Sequence, residues 1–230
     1  MNEQITHYKK MAAEKAVEFI KSGMVIGLGE GSTSIFAIQK IGELCTSGAL
    51  IDIMGIACSR KVEEVARQCG IPLTTLNDNP NIDITIDGAD EVDPHFNLIK
   101  GGGGALLREK IVAQASKREI IVVDESKTSD QLGTLWPLPI EVTPFGWEAQ
   151  SPFLESLGGN PIIRKNNEGS PYMTDQSNYI IDCDFGPIKN SSELSVVLNA
   201  RAGVVEHGLF IDLATDIIIA GKDGVQHLKK

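Results

Sequence analysis

The stretch "MVIGLGEGSTSIFAIQKIGEL" (residues 24–44) runs an apolar strand straight into a glycine loop and then into a helix. "MVIGL" has the length and apolarity of a buried strand, and Ile35, Ile38 and Ile41, three apart, form the stripe of a helix packed on a sheet. Between them Gly27, Gly29 and Gly31 alternate, with Ser32, Thr33 and Ser34 following at the helix start. Strand, glycine turn and helix make the opening unit of a parallel α/β sheet. Such a turn aims backbone N–H groups at an anion, and the helix dipole adds to the attraction. The anomaly is Glu30, a carboxylate in the middle of a loop suited to phosphate.

Working outward, the same alternation repeats. "THYKKMAAEKAVEFIK" (6–21) reads as a helix, "LIDIMGIA" (50–57) as a second strand, and "SRKVEEVARQCG" (59–70) as a helix stopped by Gly70. "NIDITIDGAD" (81–90) is a third strand, "GGGGALLREKIVAQAS" (101–116) a second glycine loop opening a helix, and "EIIVVDESK" (119–127) a fourth strand. This order predicts a Rossmann-like parallel sheet with helices on both faces. Past residue 130 prolines and turn residues appear, "NYIIDCDF" (178–185) alternates like an antiparallel strand, and "SELSVVLNARAGV" (192–204) reads as a helix closed by Gly203. "GLFIDLATDIIIAGKDGV" (208–225) returns to strand character and rejoins the main sheet. The expected organisation is a catalytic α/β domain at 1–130 and 207–230, with a smaller α+β, ferredoxin-like domain inserted at 131–206.

Bulk composition narrows the function. With 42% hydrophobic residues in 230 the chain builds a real core, and a net charge of −10 argues against a nucleic-acid surface. Cys45, Cys58, Cys69 and Cys183 form no CxxC pair, so zinc is not expected and the thiols read as small buried residues of a reducing cytoplasm. The charged N-terminal segment has no signal-peptide run, and no apolar stretch reaches spanning length. The expectation is a cytoplasmic protein with no membrane and no nucleic-acid partner.

The first loop lacks the Lys of a Walker A motif, has Ser32 where a dinucleotide fingerprint needs glycine, and as a bland turn would use Ser as an N-cap. "DGADEVD" (87–93) ends the third strand with Asp87, Asp90, Glu91 and Asp93, at the sheet edge where ligands bind. An EF-hand is excluded, because its closing Glu would be Pro94. In "LIKGGGGALLREK" (98–110) four glycines in a row cost backbone entropy that a plain turn does not require, and they stand between Lys100 and Glu109. Lys127 leaves the fourth strand on the same edge. Glycine loops and lysines for negative charge, with carboxylates for hydroxyls and proton transfer, suit a phosphorylated, hydroxyl-rich substrate whose carbon-bound proton is moved.

Together "GLGEGST" (27–33), "IDGADEVDPHFNLIKGGGGALLREKIVA" (86–113), "VVDESK" (122–127), "LPIEV" (138–142), "LGG" (157–159) and "GVVEHGLF" (203–210) resemble type A ribose-5-phosphate isomerase. The resemblance implies interconversion of ribose 5-phosphate and ribulose 5-phosphate through an enediolate, with no metal and no organic cofactor, in a homodimer or homotetramer. It implies Glu109 as the proton-moving base, Lys100 as the donor to the enediolate oxygen, and Asp87 and Asp90 as hydroxyl ligands that help open the ring. It implies Glu30, Gly31, Ser32, Thr33 and Lys127 around the phosphate, Lys9 as a weaker phosphate candidate, Gly88 and Ala89 beside the aspartates, and Gly101, Gly102 and Gly103 bringing main-chain N–H groups to the sugar. A non-catalytic sugar-phosphate sensor, and a related phosphosugar deaminase or acyl-CoA transferase, are the competing readings. The chain departs from the family's usual Thr or Ser at Glu30, and again at "ACSRK" (57–61), where small hydroxyl residues are usual. Arg60 or Lys61, at the same sheet edge, is expected to neutralise Glu30, since a carboxylate about 6 Å from phosphate costs roughly 0.7 to 3 kcal/mol.

Overall fold

The computed structural model describes residues 3–230. In chain order the elements are α1 (Glu3–Val17), β1 (Val25–Leu28), α2 (Ser34–Thr46), β2 (Met54–Ala57), α3 (Arg60–Gln68), β3 (Ile84–Asp87), β4 (Glu91–Val92), β5 (Leu98–Ile99), α4 (Leu106–Gln114) and β6 (Glu119–Asp124). They continue with β7 (Leu138–Val142), α5 (Gln150–Ser156), β8 (Asn160–Ile163), β9 (Tyr179–Asp184), α6 (Ser191–Asn199), β10 (Val204–His207), β11 (Leu209–Phe210), β12 (Asp216–Gly221) and β13 (Gly224–Lys229).

Two compact units form. The first takes the chain through Ala89, with Arg108–Lys127 and Asp212–Lys230, and the second takes Asp90–Leu107 and Thr128–Ile211. This division differs from the sequence expectation at residues 90–107, 128–130 and 207–211, because β5 pairs with β11 on one side and β4 on the other in a small antiparallel sheet that belongs to the second unit.

The first unit is a six-stranded sheet in the order β13-β12-β6-β3-β1-β2. All neighbours are parallel except the β12–β13 hairpin. Every residue of β6 is buried, as a central strand of a covered parallel sheet requires. The small residues Ala12, Ala13 and Ala16 line the buried side of α1, which packs on β6 and β12. This helix ends at Val17, so Phe19 and Ile20 lie beyond it. The second strand begins only at Met54, because Asp52 takes a left-handed conformation at φ 57° that breaks an extended run. The returning segment enters the sheet through a partly buried ion pair: Arg118 donates from Nε and Nη2 to the buried Asp216 at 2.8 and 2.7 Å, and His227 Nε2 lies 2.7 Å from the same carboxylate. Burial opposes ionisation there, but hydrogen bonds from Arg118, Thr215 and His227 hold the Asp216 carboxyl well below the usual carboxylate range.

In the second unit the chain runs β7-α5-β8-β9-α6-β10, and its antiparallel sheet has the order β10-β7-β9-β8. That succession is the ferredoxin-like βαββαβ arrangement. Its own core gathers Leu138, Ile140, Val142, Leu154, Ile181 and Leu198.

Candidate functional site

In the first unit the chain goes from β1 to β2 on one side, then crosses back to place β3 on the other side of β1. Open parallel sheets bind ligands at such a switch point, off the carboxyl ends of the strands. Here those ends carry the first glycine loop and Asp87. The register pairs Leu28 with Ile86, and Gly29 N–H donates to the Ile86 carbonyl at 3.0 Å. A Cβ on Gly29 would sit 2.5 Å from the Asp87 Cα, so only glycine lets the two strand ends close together.

The loop itself is well tied. Gly31 has φ 142°, and α2 then starts at Ser34 behind Thr33, whose side chain makes no capping bond. The bland reading of a Ser or Thr cap is therefore not what the loop uses. From α1 the largely buried Lys9 donates to Ser32 Oγ at 2.8 Å, bringing an ammonium to the loop. Glu30 is largely buried and pairs with Lys61 at 3.3 Å, so of the two expected cations Lys61 is the one that meets it. Gly88 lies close by, where a Cβ would stand 3.7 Å from the Glu30 carbonyl, in ordinary contact.

At this edge of the unit a trio of buried side chains comes together. Donor atoms of Cys58, Asp87 and Glu109 all lie within 4.8 Å of one another, and all three residues are buried. Asp87 ends β3, Cys58 follows β2, and Glu109 stands in the first turn of α4. The sequence pattern singled out both carboxylates as candidates but passed over Cys58, which carries no motif signal of its own. Two carboxylates and a thiol this close have the spacing of a cation site, and two carboxylates also have the spacing of an acid and a base serving one substrate. Lys127 sits half-buried at the end of a single 3₁₀ turn after β6, one turn past the strand and not at its end.

The second unit holds Asp90, Lys100 and Gly101–Gly103. Asp90 accepts from the Gly102 N–H at 2.7 Å. Lys100 is 2% exposed, its N–H donates to the Gly208 carbonyl at 2.9 Å, and its Nζ lies 5.5 Å from the centre of the Phe210 ring. Of the four glycines, Gly101 and Gly104 take φ 106° and 86°, and a Cβ on Gly102 would sit 2.7 Å from Asp90 Oδ1. Much of the run is therefore required by the loop's own geometry, beyond any approach to a ligand. Of the acidic cluster, Glu91 and Asp93 are structural. Glu91 accepts from Ser129 Oγ and from the N–H groups of Gly133, Thr134, Leu135 and Trp136, while Asp93 ties the turn at His95 and Asn97.

Known proteins match this arrangement along its length. The family profile "Ribose 5-phosphate isomerase A (phosphoriboisomerase A)" matches residues 54–224. The chain is 56% identical over 221 residues to a ribose-5-phosphate isomerase A of Desulfatibacillum aliphaticivorans, covering 96% of each, and 54% identical to one of Chloroflexus aurantiacus, covering 99% of this chain and 96% of that one. A solved D-ribose-5-phosphate isomerase in complex with phospho-erythronic acid superposes with a TM-score of 0.96 at 39% identity, covering 100% of both chains. On sequence and on structure, the chain belongs to the ribose 5-phosphate isomerase A family.

Proposed function

We propose that this chain, an isomerase interconverting ribose 5-phosphate and ribulose 5-phosphate in the pentose phosphate pathway, uses Glu109 as its base and Lys100 as the donor to an enediolate intermediate. Asp87 and Asp90 bind hydroxyls and assist ring opening. Once the sugar is open, Glu109 takes the proton from C2 and the carbonyl oxygen at C1 gains negative charge; the hydroxyl proton then passes from the C2 oxygen to the C1 oxygen, and Glu109 returns its proton to C1 as the carbonyl forms at C2. A proton beside a carbonyl is a weak acid, so stabilising the charge as it develops lowers the barrier. A positioned donor contributes about 3 kcal/mol, and a positioned base about 10² to 10⁴ in rate. Gly31, Ser32, Thr33, Lys9 and Lys127 hold the phosphate, with Glu30 directed to Lys61. Gly88, Ala89 and Gly101–Gly103 present main chain to the sugar.

The observation carrying this reading is the Asp87–Glu109 pair at the β1/β3 switch point, beside a glycine loop that already holds an ammonium. The relative solved with phospho-erythronic acid adds support: that ligand is a phosphate at one end and a delocalised anion at the other, as an enediolate of a sugar phosphate is. The test is to follow ketose formation from ribose 5-phosphate, with and without a chelator, in the natural protein and in Glu109→Gln. Chelator-insensitive turnover and a variant that still binds but loses about 10² or more in kcat are expected. Unimpaired turnover in the variant removes Glu109 from the role.

Two broader expectations belong to the same proposal. The enzyme works in the cytoplasm, consistent with four free cysteines, and no helix among the described residues is long and apolar enough to cross a membrane. It works as a homodimer or homotetramer, which sedimentation of the purified protein decides.

A further inference from the structure

The glycine loop after Lys100 is gripped by one arginine that no motif singles out. Arg164 follows β8, and its backbone is fixed on both sides: its N–H donates to the Ile180 carbonyl and its carbonyl accepts from Tyr172, each at 2.8 Å. Its side chain is only 15% exposed. Nη1 donates to the carbonyls of both Gly101 and Gly102, at 2.8 and 3.1 Å. The other edge of the guanidinium, Nε and Nη2, forks onto the Asp182 carboxylate in β9. The cation lies 5.9 Å from the Tyr172 ring, and the Tyr172 hydroxyl donates to the Gly103 carbonyl at 3.3 Å. Carbonyls of three successive glycines are thus drawn to one side.

The planarity of the peptide turns this into an aiming device. In a trans peptide the C=O of one residue and the N–H of the next point in opposite directions. Holding the Gly101 carbonyl on Arg164 sends the Gly102 N–H the other way, where it meets Asp90 at 2.7 Å. Holding the Gly102 carbonyl likewise turns the Gly103 N–H away from Arg164, at a residue that is exposed. A tetraglycine run has the least intrinsic preference for any one such arrangement, so the orientation has to come from outside the loop. A planar fork that satisfies a carboxylate and two carbonyls at once is a task lysine does not perform.

We propose that Arg164 is a positioning residue for the isomerisation: it sets the Gly101–Gly103 peptide planes, and with them the Gly103 N–H. This rests on the roles proposed above for Lys100 and the glycine loop. A group displaced by about 1 Å from its productive place costs about 10²-fold in rate, so the effect falls on kcat and not on binding of the phosphate.

The test compares the natural protein with Arg164→Met, Arg164→Lys and Asp182→Asn. The measurements are kcat and KM for ribose 5-phosphate, thermal midpoint, and amide hydrogen exchange of peptides spanning residues 100–107. Expected for Arg164→Met is a fall in kcat of about 10- to 100-fold with KM within about threefold, and faster exchange in that peptide while peptides from β1, β3 and β6 are unchanged. Arg164→Lys recovers only part of the rate, and Asp182→Asn shows a smaller loss of the same kind. A folded Arg164→Met with kcat within about twofold of the natural protein overturns the proposal, as does a kcat loss with unaltered loop exchange. If Arg164→Met does not fold, Asp182→Asn is read by the same criteria. A natural protein that fails to convert ribose 5-phosphate would sink the catalytic assignment, while the exchange comparison would still report on Arg164.

Discussion

The carboxylates of Asp87 and Glu109 approach within 4.8 Å of each other, one at the end of a central strand and the other in the first turn of a helix. Both are buried, and they share the site edge with the Cys58 thiol. Under the proposed roles, groups so close serve one substrate together. Asp87→Asn and Glu109→Gln are each expected to lower kcat by about 10² or more, and the double variant by far less than the product of the two. Losses that multiply in steady-state assays would mean that the two acids act separately.

In the first glycine loop, proposed to hold the phosphate, Glu30 is met by Lys61 at 3.3 Å. Lys61 is 76% exposed, so its compensation is screened by solvent and by salt. Removing it in Lys61→Ala should raise KM about threefold at low ionic strength, and the rise should vanish near 1 M salt. Glu30→Thr should leave KM within a few fold. A marked tightening in that variant would indicate that the carboxylate opposes phosphate despite its partner.

Glu91 belongs to stability and not to chemistry. It is fully buried and collects one hydroxyl and four backbone donors from the segment after Thr128. Truncation to Ala strands those donors, at a cost of about 3 kcal/mol or more. Urea unfolding should register this as a lowered midpoint. An unchanged midpoint would mean that the segment finds other partners.

Asp216 gives the fold a pH signature. Its folded carboxyl titrates below the unfolded value of about 3.9, so the stability it contributes is fully present above that value and is lost as the pH falls towards the folded one. Asp216→Ala leaves Arg118 with its buried partner removed and should cost about 3 kcal/mol at pH 7. The gap between variant and natural protein should narrow below about pH 4. A gap that stays constant down to pH 3 would contradict the ion-pair account.

The parallel sheet was readable because buried strands and striped helices have different periods, as in "MVIGL" followed by Ile35, Ile38 and Ile41. The ferredoxin-like insert was readable from its change of composition. The assignment of residues 90–107 was not, because two-residue strands such as β4 and β5 carry no period and gain their place only through the pairing of β5 with β11, far along the chain. The same distance hid Arg164, whose partners Gly101 and Gly102 are neighbours in space only. Cys58 was hidden differently: a thiol in an apolar run looks like core, and what marks it out is its nearness to two acids. Glu91 and Asp90 were alike as letters, and only their hydrogen bonds separate a loop anchor from a candidate ligand.

The order of strands in the larger sheet also governs how the chain emerges from a ribosome. Strand β6 is flanked on one side by β3, made well before it, and on the other by β12, made only after the whole segment from β7 to β11. Until residue 221 has been translated, one whole side of that fully buried strand presents unpaired backbone groups, the kind of edge that recruits other chains. A nascent polypeptide stalled anywhere within the inserted unit would therefore be the aggregation-prone species of this protein, and β12 is what closes the vulnerable flank.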